Sequence, residues 1–355
     1  MACACSSPLS PGGFIASDAT SDADQDPGYY ASGVTVRTFV DTTRPTPANG
    51  TSPDKPSRTL VTHIWYPTLS DNLEGEAVPD APPNAFGSRP LVVFVHGSSG
   101  TAVMYAILLN FLAYAGYVVA AADFPNTALS SPGGPNDFHA EEQVRDVAFL
   151  FDQLTTLPPS DALAGLVDAS AGYAVAGHST GGTVALLAAY RPDYHDQRVR
   201  AAIDLAGDSC FLADSFFAQR SVPLLAIGGT NDRLVPDDPN TFRAFQRASA
   251  PAVWAGLKGG THMHFTDLNI DDPDESPTQS TDPLAQTCGE WGGGGACLAV
   301  APPSDFAPML RVNQLTTTAW IMQAFLDAHL RNEPKHLSGM TGFFGWHGDV
   351  MFFAK

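Results

Sequence analysis

Basic residues are scarce in this sequence. The 355 residues include 18 lysines and arginines against 37 aspartates and glutamates, so the formal net charge at pH 7 is −19. A surface of this sign repels phosphate backbones and anionic lipids, and we therefore expect neither nucleic acid nor a charged membrane surface as a partner. The same charge favours solubility and a neutral or apolar substrate.

Long apolar runs and internal repeats are also lacking. No stretch of 18 or more consecutive apolar residues occurs, so the sequence predicts no membrane-spanning helix. No segment recurs at a fixed period, which argues against a solenoid or a propeller. A chain of this length can bury one large core, and we predict a single domain over residues 29–355 and a monomeric protein.

The first 28 residues lack the apolar positions that a folded core requires. They are rich in serine, aspartate, glycine and proline, which predicts a disordered tether over residues 1–28. The start of the chain has neither the basic nor the apolar segment of a signal peptide. A small residue followed by Cys3, and then a polar tether, resembles the mature end of a bacterial lipoprotein. We therefore expect a bacterial protein that is secreted or held in the cell envelope, either periplasmic or lipid-anchored.

Cysteine is rare, with five copies in the chain. Cys288 and Cys297 enclose a segment with four consecutive glycines, and such a loop suits a disulfide in an oxidising compartment. Neither a Cys-x-x-Cys motif nor a nearby pair of histidines accompanies them, so no metal is expected there. Cys210 is the alternative partner for either cysteine.

An acidic insertion is predicted at about residues 266–309. Its acids are Asp267, Asp271, Asp272, Asp274 and Glu275. Their spacing lacks the glycine and the final glutamate of an EF-hand loop, so we expect a solvated loop, with calcium binding as the alternative. Neither a metal nor any other cofactor is predicted for this protein.

The sequence does contain a Gly-x-Ser-x-Gly motif, at residues 177–181. The apolar run at 173–176 predicts a buried strand before it, and residues 183–190 predict a helix after it. A turn this tight exposes the Ser179 hydroxyl at the end of the strand, where a Cβ at the flanking glycines would clash. Ser179 is therefore the predicted nucleophile, and the Thr180 N–H at the helix start is a predicted oxyanion donor.

A serine nucleophile needs a base that takes its proton and an acid that orients the base. Asp232 follows the predicted strand at 222–227, and His262 follows the strand at 252–257. Carboxyl ends of parallel strands share one edge of a sheet, so we expect both side chains to converge on Ser179. Other acids and a second histidine also follow strands. These alternatives are Asp123, Asp204 and Asp208 for the acid and His264 for the base.

The second oxyanion donor is predicted from an earlier apolar strand, at residues 89–96. This strand runs into His96-Gly97-Ser98, where the glycine lets the backbone turn and point the Ser98 N–H at a substrate oxygen. The predicted oxyanion hole therefore consists of Ser98 and Thr180. His96 is expected to orient this loop by hydrogen bonding, not to act as a base.

Strands alternate with helices from residue 91 to residue 330, which predicts an α/β fold with a mostly parallel sheet. Two further strands, at 34–40 and 58–67, are predicted to form an antiparallel pair at one edge. The connection between Asp204 and Val222 has room only for a short loop, so no large cap domain is expected. An open cleft suits bulky or polymeric substrates.

These motifs together resemble the α/β-hydrolase superfamily. The resemblance implies helices on both faces of the sheet and a serine esterase that cleaves carboxylic esters through an acyl-enzyme. Residues 58–67, 115–123 and 261–267 are similar to dienelactone-hydrolase-like and platelet-activating-factor-acetylhydrolase-like esterases. They are also similar to bacterial cutinases and polyethylene-terephthalate hydrolases. Dienelactone hydrolases use cysteine where this chain has Ser179. Polyester hydrolases usually carry an aromatic residue at the position of Ser98 and a methionine at the position of Thr180.

The resemblance leaves the substrate open. Polyesters and other bulky esters are expected because the cleft is open, and a phospholipid acetylhydrolase-like lipase is the alternative esterase. Two other classes share the fold: a serine peptidase or cofactor-free haloperoxidase, and a binding module that has lost catalysis. A complete set of candidate residues in the order serine, acid, histidine favours an enzyme.

Overall fold

The computed structural model describes residues 29–68, 75–84, 87–194, 196–268, 270, 306–340 and 348–355. These residues form one sheet of ten strands. In chain order the strands are β1 (Ala31–Asp41), β2 (Arg58–Thr68), β3 (Val78–Pro79), β4 (Leu91–Val95), β5 (Val118–Asp123), β6 (Tyr173–His178), β7 (Val199–Leu205), β8 (Leu224–Gly229), β9 (Ala252–Leu257) and β10 (Val350–Ala354). Their order across the sheet is β10-β9-β8-β7-β6-β4-β5-β2-β1-β3.

Parallel pairing links the centre of the sheet, from β9 to β5. At one side, β2 pairs antiparallel with β5, and β1 pairs antiparallel with β2 as predicted. At the other edge, β10 pairs antiparallel with β9. Every residue of β4, β6, β8 and β9 is buried, because helices cover both faces of these strands. Their nearly unbroken apolar sequences follow from this burial.

Helices pack on both faces of the sheet. They are α1 (Ala106–Tyr114), α2 (Gln143–Thr155), α3 (Thr180–Tyr190), α4 (Asp214–Phe217), α5 (Arg243–Arg247) and α6 (Arg311–Leu330). Shorter helical turns cover Ala102–Tyr105, Asp137–Glu142, Asp238–Phe242 and Met263–Phe265. Neighbouring side chains of one strand point to opposite faces, so Val93 joins the core beneath α2 and α3, and Phe94 joins the core beneath α1 and α6.

The predicted fold class is confirmed: the sheet is mostly parallel, with helices on both faces. The connection between β7 and β8 contains only α4, a helix of four residues, and no cap domain. Two short strands and α4 were not predicted, and the predicted helix at 101–115 begins as a 3-10 turn. The predicted tether at 1–28 and residues 271–305 of the predicted insertion lie outside the described residues. None of the described helices is long and apolar enough to cross a membrane.

A buried ion pair joins the antiparallel side of the sheet to α2. The guanidinium of Arg58, in β2, donates from Nε and Nη2 to the two carboxylate oxygens of Asp146, at 2.9 and 2.5 Å. Both side chains have no exposed surface. Arg44 donates a further hydrogen bond to the same carboxylate at 2.6 Å. The bidentate geometry fixes α2 against β2.

We predict that Asp146→Ala lowers the free energy of unfolding by about 3 to 5 kcal/mol, because it leaves the Arg58 charge buried without its partner. Asp152→Ala is the matched control. Asp152 lies on the same helix but is 53% exposed in its pair with Arg198, so its loss should cost at most about 1 kcal/mol. Urea unfolding of both variants measures the difference, and equal costs would contradict the structural role of the buried pair.

Candidate active site

The Gly-x-Ser-x-Gly motif forms a tight turn between β6 and α3. Ser179 has φ 56 and ψ −128, a backbone conformation that residues other than glycine rarely adopt. A Cβ added at Gly177 would lie 2.2 Å from the carbonyl oxygen of Gly181, and one added at Gly181 would lie 2.1 Å from that of Val95. The turn therefore requires both glycines, as predicted. Ser179 itself is only half-buried.

The candidate acid and base meet at the carboxyl ends of β8 and β9. His262 Nδ1 lies 2.8 Å from Asp232 Oδ2 and donates a hydrogen bond to this carboxylate oxygen. The other oxygen, Oδ1, accepts the N–H groups of Leu234 and Val235 at 2.9 and 2.7 Å. Both Asp232 and His262 are buried. This arrangement fixes the proton of His262 on Nδ1 and leaves Nε2 as the basic nitrogen.

The candidate oxyanion loop lies against the nucleophile. A Cβ added at Gly97 would lie 3.1 Å from Ser179 Cβ. The Gly97 carbonyl accepts the N–H of Gly100 at 2.9 Å and lies 2.8 Å from His96 Nδ1. Because the peptide is planar and trans, the Ser98 N–H points away from this carbonyl. Thr180 is the first residue of α3, so its N–H also points out of the helix.

Two comparisons with known proteins bear on this site. Residues 75–204 match the family model described as Chlorophyllase, a span that contains Gly97 and Ser179. Among solved structures, the chain is similar to a ferulic acid esterase from Streptomyces cinnamoneus, with 25% sequence identity over 91% of this chain and 96% of that chain and a TM-score of 0.61. No curated protein matches the sequence significantly. The chain belongs to the α/β-hydrolase superfamily.

The hydrolase is a carboxylic ester hydrolase of the serine type. This confirms the esterase class that the motifs predicted. The similarity to the ferulic acid esterase covers 91% of this chain, so it extends beyond residue 204, where the match to the family model ends. The roles of individual residues stay predictions, and they rest on the geometry described above.

The alternative acids of the hydrolase make other contacts. Asp204 is fully buried and accepts the Gly207 N–H at 2.8 Å, and burial raises its pKa to about 7. Asp123 accepts the N–H of Ala102 at 2.9 Å. The carbonyl of Asp208 accepts the Thr183 hydroxyl. Asp232 is thus the carboxylate that the structure places on the candidate base.

The neighbouring histidines are held by other groups. His264 Nδ1 lies 3.0 Å from the Met309 carbonyl oxygen. His96 Nε2 accepts the N–H of Phe124 at 3.2 Å, and burial lowers the pKa of His96. With Nδ1 directed at the Gly97 carbonyl, His96 is neutral and orients the loop. Burial, and then the charge of nearby His262, lower the pKa of His178 well below its usual range.

Asp267 has a structural role that the sequence did not indicate. Its carboxylate accepts the N–H of Ile107, in the first turn of α1, at 3.1 Å, and its own N–H donates to the Met104 carbonyl at 2.7 Å. Burial raises the pKa of Asp267 to about 6. The expectation of a wholly solvated acidic loop is therefore wrong for this residue. The remaining acids of the insertion lie outside the described residues.

Of the three cysteines considered for a disulfide, the structure describes Cys210. Cys210 is disulfide-bonded, and its partner lies outside the described residues. Cys288 and Cys297 also lie outside the described residues, so their pairing stays a prediction. A disulfide between Cys288 and Cys297 requires that Cys210 bonds to neither of these two cysteines. No cluster of three or more potential metal ligands occurs among the residues that the structure describes.

We predict that Asp232→Asn lowers kcat for ester hydrolysis about 10⁴-fold, because an amide cannot stabilise the imidazolium and favours the wrong tautomer of His262. Asp204→Asn is the matched control, since it makes the same change at another buried acid that follows a strand. It should leave kcat within about threefold of the wild type, as is usual for a residue outside the reacting set. The reverse pattern would move the acid to Asp204.

Asp204 also gives a second readout, the pH dependence of stability. Its folded pKa of about 7 lies above the value in the unfolded chain. The folded state therefore binds a proton at the Asp204 carboxyl more tightly than the unfolded chain does. The stability that this bound proton confers is present in acid and lost as pH rises through about 7. Asp204→Asn should reduce the drop in unfolding free energy between about pH 5 and pH 8. An unchanged drop would show that Asp204 does not titrate in this way.

Proposed function

We propose that this hydrolase cleaves bulky, uncharged carboxylic esters through an acyl-enzyme on Ser179. The observation that carries the proposal is the bond between His262 and Asp232 beside the strained Ser179 turn. The His262 ring lies 4.5 Å, between centroids, from the ring of His178, the residue that directly precedes Ser179. The candidate base therefore packs against the residue that directly precedes the candidate nucleophile.

The reaction follows from these positions. Ser179 Oγ attacks the ester carbon while His262 Nε2 takes its proton, and Asp232 stabilises the imidazolium that forms. The oxyanion accepts hydrogen bonds from the N–H groups of Ser98 and Thr180, each lowering the barrier by about 3 kcal/mol. His262 then gives its proton to the leaving alcohol oxygen. Water, activated in the same way, attacks the acyl-enzyme and releases the carboxylic acid and free Ser179.

The surroundings of the oxyanion loop support an apolar substrate. The Leu129 N–H donates to the Gly100 carbonyl at 3.1 Å, and Ser98 Oγ donates to Asp137 at 2.5 Å, so the segment 124–138 borders this loop. Within it, Leu129 and Phe138 are 56% and 52% exposed. Large apolar side chains at the surface beside a site favour contact with an apolar ligand.

The comparisons point to the same class. One structural neighbour is a ferulic acid esterase, and ferulic acid is an aromatic acid. The net charge of −19 favours neutral esters over anionic ones. Only the four-residue α4 lies between β7 and β8, which leaves that side open to large substrates. Polyesters fit this description in size, although this chain has serine and threonine at positions where polyester hydrolases usually carry an aromatic residue and methionine.

We also propose that the protein acts outside the cytoplasm, secreted or in the cell envelope with a lipid anchor. The disulfide at Cys210 supports this location, because such bonds persist mainly in oxidising compartments. Fractionation of the native bacterium tests it. Recovery of the protein in the cytosol with a free Cys210 thiol would contradict export.

A substrate panel tests the proposed function. We expect the highest kcat/KM on methyl ferulate and medium-chain nitrophenyl esters. A short-chain acetyl phospholipid, a peptide amide and a polyester film complete the panel. Ser179→Ala should lower ester turnover about 10⁴-fold or more. Ser170→Ala, at the opposite end of β6, should leave it unchanged.

Each other outcome points to another function. Preference for the acetyl phospholipid would favour a lipase, and cleavage of the peptide without the esters would favour a peptidase. No turnover of any substrate by the folded protein would favour a binding module. A Ser179→Ala variant that retains a tenth of the ester turnover would overturn the assignment of Ser179 as the nucleophile.

A further inference from the structure

The backbone of Gly97 is held from both sides. Its carbonyl accepts the Gly100 N–H and faces His96 Nδ1, as described above. On the other side, its N–H donates to the hydroxyl oxygen of Tyr105 at 2.9 Å. The Ser98 N–H belongs to the same peptide as the Gly97 carbonyl. Its direction therefore depends on how Gly97 is held.

Tyr105 is well placed to hold this loop. It ends the 3-10 turn Ala102–Tyr105 that precedes α1, and only 2% of its surface is exposed. Its ring packs on Phe94 of β4 with centroids 4.8 Å apart. Burial raises the pKa of the Tyr105 hydroxyl, so it stays protonated. A protonated hydroxyl can accept one hydrogen bond and donate another.

The hydrogen bond that the Tyr105 hydroxyl donates connects it, through His178, to the candidate base His262. Tyr105 Oη lies 3.0 Å from His178 Nδ1. His178 is buried and neutral, and its Nδ1 accepts a hydrogen bond from the hydroxyl, which keeps its proton. The same imidazole packs on His262, and its backbone continues into Ser179. One hydroxyl thus links the oxyanion loop, the nucleophile turn and the base.

We propose that Tyr105 is a positioning residue for the oxyanion hole. By accepting the Gly97 N–H it keeps the loop against Ser179 and directs the Ser98 N–H at the developing oxyanion. Without the hydroxyl, the buried Gly97 N–H has lost its acceptor, and the loop must shift to satisfy it. Oxyanion stabilisation depends on donors being held in place before the reaction, so a small shift lowers kcat more than substrate binding. This inference rests on the proposed esterase function.

Tyr105→Phe tests the proposal, with Tyr190→Phe as the matched control. Tyr190 is also fully buried, and its hydroxyl donates to a backbone carbonyl, that of Val222, at 2.7 Å. Tyr105→Phe loses the two hydrogen bonds of its hydroxyl and Tyr190→Phe loses one, so both variants should lose stability and Tyr105→Phe should lose more. For a soluble nitrophenyl ester, Tyr105→Phe should lower kcat about tenfold while KM changes less than about twofold. Tyr190→Phe should change neither.

A transition-state mimic gives the second readout. A trifluoromethyl ketone forms an oxyanion on the serine, so its affinity should fall about tenfold in Tyr105→Phe. The affinity for the product acid should stay the same in all three proteins. If Tyr105→Phe does not fold, His178→Leu removes the acceptor of the Tyr105 hydroxyl and should also lower kcat at unchanged KM.

The outcomes separate this inference from the proposed function. Wild-type kcat in Tyr105→Phe, or an equal loss in Tyr190→Phe, would overturn the positioning role while Ser179→Ala still abolishes ester turnover. If Ser179→Ala retains activity, the proposed function fails instead. An equal loss of affinity for the ketone and for the product acid would show a general disturbance of the pocket and would also overturn the positioning role.

Discussion

The turn between β6 and α3 has no space for a side chain at either glycine, and the site depends on this steric constraint. The atoms nearest to an added Cβ at Gly177 and Gly181 are backbone atoms, which cannot move aside as a flexible side chain would. The packed strand and helix therefore hold Ser179 in a conformation that costs free energy. Ser179 and Thr180 lie at the carboxyl end of β6, at the same edge of the sheet as the carboxyl ends of the parallel strands β4, β8 and β9.

The parallel sheet then brings the other groups to this edge. The candidate oxyanion loop follows β4, the candidate acid follows β8 and the candidate base follows β9, although these elements lie far apart in the sequence. Burial divides their tasks. Asp232 and His262 lie in the interior, where a charged hydrogen bond is strong, while Ser179 and Ser98 remain accessible to a substrate.

Much of this arrangement could be predicted because its signals are local. The glycines around Ser179 and the apolar strands before Ser98, Asp232 and His262 each mark a feature within a few residues. The parallel pairing of the central strands follows from a general rule, because strands that alternate with helices form a parallel sheet. The fold class and the esterase class therefore follow from short motifs.

Contacts between distant residues could not be predicted in this way. In the sequence, Tyr105 is typical of an ordinary apolar position in a helix. Its hydrogen bond with the Gly97 N–H forms only when the 3-10 turn packs on β4. Asp267 caps a helix some 160 positions earlier, whereas most helix caps come from adjacent residues. β10 is a short edge strand whose pairing with β9 depends on the rest of the sheet. Such features follow from tertiary packing and carry no local signal.

The central claim is that Ser179 is the nucleophile whose Oγ forms the acyl-enzyme. Mass spectrometry of the protein after reaction with a fluorophosphonate tests it most directly, because this reagent bonds covalently to an activated serine. We predict one adduct per chain, on the peptide that contains Ser179, and none after His262→Ala. An adduct on another serine, or equal labelling of the wild type and the His262 variant, would contradict the claim.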